Sequence, residues 1–69
     1  MKKGKRICEE LKQLRHEKFL TQDQMAEQLG VTKVTYNHIE KGRKDLSLKT
    51  IEKISKYTGH GYTYIKEHL

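Results

Sequence analysis

Apolar positions in this chain recur at helical spacing, three and four residues apart. Ile7, Leu11 and Leu14, with Cys8 beside them, fall on one face of a first helix. Glu9, Glu10, Lys12 and Gln13 point away, and His16, Glu17 and Lys18 end it. Three helix starts then follow one formula. Thr21 can take an orphan backbone amide while Gln24 reaches back to the N–H of Thr21, and Leu20 and Met25 bracket this capping box as a hydrophobic staple. Thr32 sits between Val31 and Tyr36 in the same way, so a third helix should start at Lys33. Ser47 between Leu46 and Ile51 opens a fourth, whose apolar positions Leu48, Ile51 and Ile54 should close the core, with Lys49, Lys53 and Lys56 on another side and Gly59 as its stop. The tail forms a short fifth helix without a strong cap, placing Tyr62, Ile65 and Leu69 on one face, with Tyr62 and Ile65 capping the core and Tyr64 pointing elsewhere.

Between the second and third helices stands Gly30. A glycine can adopt the left-handed conformation that stops a helix within one residue, so the third helix leaves at a steep angle without a long loop. Ala26, four residues earlier, is small enough for the two helices to cross closely. The stretch from Leu20 to Gly42 therefore reads as a helix-turn-helix in an all-α, five-helix domain. On its second helix Tyr36, Ile39 and Glu40 share the packed side, leaving Lys33, Val34, Asn37, His38 and Lys41 on the other.

Sixty-nine residues make one small domain, too short for a second core. The expected division is a basic N-terminal arm at residues 1–5, containing Lys2, Lys3 and Lys5 with Arg6 at its edge, and a single domain over 6–69. The arm reads either as a phosphate or minor-groove contact or as a solvated terminus. A formal charge of +6 and a pI near 9.6 suit a polyanionic partner. One cysteine excludes an internal disulfide and a four-cysteine zinc site, and a reducing cytosol is compatible with it. No apolar run is long enough for a signal peptide or a membrane span, so a cytoplasmic protein is expected.

The segments TQDQMAEQLGVT and YNHIEKG resemble the Cro and lambda-repressor-like, or Xre, family of DNA-binding domains, over about residues 6 to 69. Ala26, Gly30 and Ile39 match its motif positions. The resemblance implies that the second helix of the motif reads the major groove of double-stranded DNA. It further implies that Arg15 pairs with Glu40, locking that helix to the first, and that a dimer forms through the end of the fourth helix and the tail, here Tyr57, Tyr64, Ile65 and Leu69. Two positions depart from the pattern. Tyr36 stands where Val or Ile is commoner, which should shift the recognition helix outward, and Phe19 replaces a common Gly, where its bulk disfavours a left-handed cap.

Base contacts are expected from Lys33, Val34, Thr35, Asn37 and His38. Lysine suits guanine O6 and N7, asparagine can bracket adenine N6 and N7, and the methyls of Val34 or Thr35 can touch a thymine methyl. Gln22 opens the second helix, where amides and the helix dipole favour an anion, so it should hold a phosphate; Lys41, Arg43 and Lys44 are further backbone contacts. For each, the plain alternative is a solvated helix surface. The four histidines lack metal-ligand spacing, no nucleophile sits near a base at motif spacing, and neither cofactor nor catalysis is expected. The expected function is a transcription regulator, foremost a repressor binding a palindromic operator as a homodimer. Beside it stand an antitoxin or restriction-modification controller with a protein partner, and an interaction adaptor that keeps the fold without DNA affinity.

Overall fold

The computed structural model describes residues 6–69, so the arm at 1–5 lies outside the described residues. Five helices follow in order: α1 (Ile7–Glu17), α2 (Gln22–Leu29), α3 (Lys33–Glu40), α4 (Leu48–Thr58) and α5 (Tyr62–Glu67). Three of the starts are capped by the hydroxyls that the pattern singled out. Thr21 Oγ1 accepts from Gln24 N at 3.1 Å while Gln24 Oε1 accepts from Thr21 N at 2.9 Å, closing the capping box. Thr32 Oγ1 accepts from Thr35 N, and Ser47 Oγ from Thr50 N. The starts of α1 and α5 carry no side-chain cap. Instead, Ile7 N donates to His68 O at 2.7 Å, so the end of α5 satisfies an orphan donor at the head of α1.

One core holds the helices together: Ile7 and Leu11 from α1, Met25, Ala26 and Leu29 from α2, Tyr36 and Ile39 from α3, Ile51 and Ile54 from α4, and Ile65 from α5. Cys8 is buried at its edge and unpaired. Gly30, at φ +83°, lets its own N–H and that of Val31 both turn back to Ala26 O, which ends α2 and sets off α3 three residues later.

Four expectations need correction. Leu48 is 59% exposed, and Thr50 takes the buried place instead. A three-residue step falls about 60° short of a full helical turn, so the row Leu48, Ile51, Ile54 drifts around α4 and only its later members meet the core. Tyr62 is likewise 48% exposed at the first turn of α5, whereas Tyr64 lies half-buried against the core, its ring stacked between His60 at 4.1 Å and His68 at 3.9 Å. Phe19 does take the left-handed conformation, at φ +56°. Its N–H donates to His16 O and that of Leu20 to Arg15 O, so two bonds to the end of α1 hold a bulky residue where glycine would sit without strain. Arg6, finally, is no part of a loose arm. Its guanidinium donates to Leu69 O at 2.9 and 2.6 Å and to Gly42 O at 3.0 Å, tying the head of α1 to the turn after α3.

Candidate nucleic-acid interface

Helix α3 turns Tyr36 and Ile39 into the core, at 0% and 2% exposure, and its opposite side faces solvent. Lys33 and Val34 are exposed there, while Thr35, Asn37 and His38 are half-buried. Lys33 Nζ stands 3.9 Å from Asp23 Oδ2, a long, solvated pairing that leaves the ammonium at the surface. Thr35 is tied into the cap, its hydroxyl accepting from Thr32 Oγ1. Among the five expected base contacts, Val34 therefore projects most freely and Asn37 is the most constrained.

The constraint on Asn37 comes from a polar network beneath it. At its base is Glu40, whose side chain is only 5% exposed. Arg15 Nε donates to Glu40 Oε2 at 2.7 Å, the Tyr36 hydroxyl donates to the same oxygen, and Gln22 Nε2 donates to Oε1 at 3.0 Å. Arg15 also donates to Leu20 O, so one guanidinium joins α1, the turn before α2, and α3. Burial by itself would raise the Glu40 pKa, but the hydrogen bonds from Arg15, Tyr36 and Gln22 outweigh it and hold the carboxyl below its ordinary value. Burial, and then the bond to Glu40, push the Tyr36 phenol well above the usual tyrosine range. The Arg15 guanidinium is raised further by its bond to Glu40. All three groups thus keep the protonation states that the network requires. No buried side-chain nitrogen or oxygen lacks a partner among the described residues.

Gln22 and Asn37 meet at the top of this network, where Asn37 Nδ2 donates to Gln22 Oε1 at 3.2 Å. The Gln22 side chain is thus engaged at both ends, which leaves one Nε2 hydrogen and the amides of Gln22 and Asp23, ahead of the capped Gln24, for an anion. Among the loop cations, Lys41 and Lys44 are exposed. Arg43 grips Asp45 through two bonds, of 3.2 and 2.9 Å, and holds its carboxyl below the usual range. The turn carrying these residues is fixed from behind by Arg6.

The tail residues divide differently from expectation. Ile65 is fully buried within the domain and has no surface to offer a partner. Tyr64 has a histidine over each ring face. Tyr57 is half-buried, its hydroxyl accepting from Lys18 Nζ and donating to Gln28 Oε1, and the Leu69 carbonyl is taken by Arg6. Leu48 at the first turn of α4 and Tyr62 at the first turn of α5 are the exposed apolar side chains of these two helices. Among the described residues no group of three or more His, Cys, Asp or Glu could hold a metal ion, and no helix is long and apolar enough to cross a membrane.

Two functional elements escaped the reading of residues alone. The Tyr36 hydroxyl bond to Glu40 had a local signal, because residues four apart on a helix are neighbours. The Arg6 clasp had none, since its partners lie 36 and 63 residues away.

Comparison with known proteins gives one family match and two relatives. The helix-turn-helix family matches residues 11–64, which is most of the chain. The cryptic phage CTXphi transcriptional repressor RstR of Vibrio cholerae is 41% identical over 49 residues, covering 71% of this chain and 44% of the repressor. An uncharacterised helix-turn-helix transcriptional regulator of Methanocaldococcus jannaschii is 50% identical over 40 residues, covering 58% of this chain and 61% of that protein. The chain thus spans about half the length of the curated relatives it matches. No solved structure shows a significant match.

Proposed function

This chain belongs to the helix-turn-helix family, and from that premise we propose that it is a sequence-specific, double-stranded DNA-binding transcription regulator, acting as a repressor by occupying its operator. The observation that carries this reading is the two-sided character of α3, whose inner side is sealed into the core and pinned by Arg15 and Glu40 while its outer side stays open. A helix held this firmly can present side chains to base edges in one register. Lys33, Val34, Thr35, Asn37 and His38 are the base-reading set. Phosphates fall to the first turn of α2 with Gln22, and to Lys41, Arg43 and Lys44. The repressor assignment draws on the Vibrio relative, which carries that name. A regulator of this kind works in the cytoplasm, with DNA as its partner and no cofactor.

Two copies should bind together. One recognition helix touches only a few base pairs, too few to single out a site among the competing sites of a genome. A two-fold pair with reading helices about 34 Å apart would place half-sites about 10 base pairs apart on one face of a palindromic operator. Because Ile65 and Tyr64 are used inside the domain, we assign the joining surface to the exposed side of α4 and α5, around Leu48, Glu52, Lys56 and Tyr62. A two-fold axis passing between Glu52 and Lys56, one turn apart on α4, would set each copy's Glu52 against the other's Lys56, the self-complementarity that such an interface requires.

The test is selection of bound sites from a random DNA pool, followed by titration of the winning site at several salt concentrations. The expected result is a palindromic site with two half-sites and an affinity that falls steeply with salt. A pool that yields no enriched sequence would overturn the regulator reading. A one-to-one complex covering a single half-site would overturn the dimer.

A further inference from the structure

From the hydrogen-bond network under α3 we infer that Gln22 and Glu40 are positioning residues for base reading: the buried carboxylate of Glu40 fixes which way round the Asn37 amide faces the DNA. This rests on the reading of α3 as the helix that enters the major groove.

Donor and acceptor chemistry alone fixes each amide in turn. An ionised carboxylate only accepts, so the Gln22 amide must turn its Nε2 hydrogens toward Glu40, as the 3.0 Å bond shows. Its Oε1 is then directed away from Glu40, toward Asn37. An oxygen at that place demands a donor, so Asn37 must turn Nδ2 inward, as the 3.2 Å bond shows. What remains for DNA is the Asn37 Oδ1 and the second Nδ2 hydrogen, one acceptor and one donor. That pair is complementary to adenine, which offers N6–H as donor and N7 as acceptor. Were the Asn37 amide reversed, both its hydrogens would face outward and match the two acceptors of guanine, O6 and N7. Arg15 and Tyr36 complete the device by keeping Glu40 ionised and immobile. The identity of the preferred base is thus set two residues below the one that touches it.

Two substitutions at residue 22 separate this from a plain phosphate contact. Gln22→Leu fills similar space but leaves Asn37 free to turn either way. Gln22→Lys retains a donor toward Glu40 and presents only N–H groups toward Asn37, which calls for the reversed amide. The experiment repeats the selection from a random pool with the unaltered chain, both variants, Asn37→Ala, and the double variant Asn37→Ala with Gln22→Leu. Thermal unfolding of each confirms that it folds, and the exchange of the Asn37 side-chain amide protons is read by NMR without DNA. The unaltered chain is expected to prefer adenine at one position of each half-site. Gln22→Leu should lower the adenine-to-guanine ratio there by about tenfold, within the range of one good bidentate contact, and should speed exchange of the Asn37 amide. Gln22→Lys should move the preference toward guanine even while its added charge strengthens binding to all sequences. In the double variant the ratio should match that of Asn37→Ala alone. Base preferences unchanged in both residue-22 variants, with only a uniform change of affinity, would overturn the inference and leave Gln22 as a phosphate contact. A position whose preference ignores Asn37→Ala would overturn it as well. Failure of the unaltered chain to enrich any site is the separate result that removes the DNA-reading assignment itself.

Discussion

Tyr36 and Glu40 stand one turn apart on α3, and the phenol hydroxyl of the first donates to the carboxylate of the second at 2.5 Å. The ring is fully buried, so it serves as core and as charge partner at once. An aliphatic residue here could do only the first. The extra bulk extends along the core side of α3 and ends on a carboxylate that already needs donors.

Tyr36→Phe keeps the ring and deletes the hydroxyl. Urea unfolding should show a loss of about 1.5–3 kcal/mol, the usual worth of a hydrogen bond to a charged group. The phenol pKa is raised in the folded protein, chiefly by burial, so its contribution is fully present below the ordinary tyrosine value of about 10 and is lost as pH rises through the folded value. In an ultraviolet titration one of the four tyrosines should therefore ionise well above that value or only on unfolding. Ordinary ionisation of all four would contradict the burial of this hydroxyl.

Glu40 gives the opposite sign at the other end of the pH scale. Its folded pKa is lowered, so the stabilisation it provides is fully present above the ordinary carboxylate value of about 4.3 and disappears as pH falls through the folded one. Unfolding measured between pH 7 and pH 2 should show this acid limb, and Glu40→Gln should flatten it. At neutral pH the same variant should cost about 3–5 kcal/mol, because it strands the largely buried Arg15.

Phe19 is 92% exposed in a left-handed conformation, so its side chain adds little packing while its backbone carries strain. Relief of about 1–2 kcal/mol in Phe19→Gly is opposed by a gain of about 0.5–1 kcal/mol in unfolded-chain entropy. The net expectation is a stabilisation of roughly 0.5–1 kcal/mol, visible as a rise in Tm. A fall in Tm would mean that the ring has a packing role.

Gly42 has φ +84°, and a Cβ built there would lie 2.9 Å from Arg6 Nη2. Gly42→Ala should cost about 1–2 kcal/mol from the left-handed backbone alone, plus the displacement of the clasp. In an Arg6→Ala background the second part vanishes, so the two substitutions should be less than additive in a double-mutant cycle. Strict additivity would show that the guanidinium moves aside freely.

The features legible in the sequence were those written locally. Thr21 with Gln24, Thr32 and Ser47 announce helix starts through partners three residues away, and Gly30 announces the turn through its own backbone freedom. These are enough to draw the helix-turn-helix and to say which side of α3 packs. What escaped depends on partners distant in the chain or on a helix's exact roll. Leu48 looks like core until its angular drift is followed, and Tyr64 looks exposed until His60 and His68 are placed around it. Phe19 could not be assigned a left-handed backbone from its own preference, which runs the other way; the closing bonds to Arg15 and His16 decide it. At the interface, Asn37 was recognisable by type, but its tether to Gln22 arises only when α2 and α3 cross.

The bond from Ile7 to His68, seen from outside the domain, makes a single doorway. Arg6 and Ile7 at the head of α1 meet His68 and Leu69 after α5 at one spot, next to the turn after α3, with the Arg6 guanidinium bonded to both Leu69 and Gly42. A unit with adjoining doors can be spliced into a surface loop of another protein without stretching the host, and a domain attached through either door hangs at the same place. A reporter joined at Arg6 or at Leu69 should therefore crowd the same neighbourhood, the loop that follows α3.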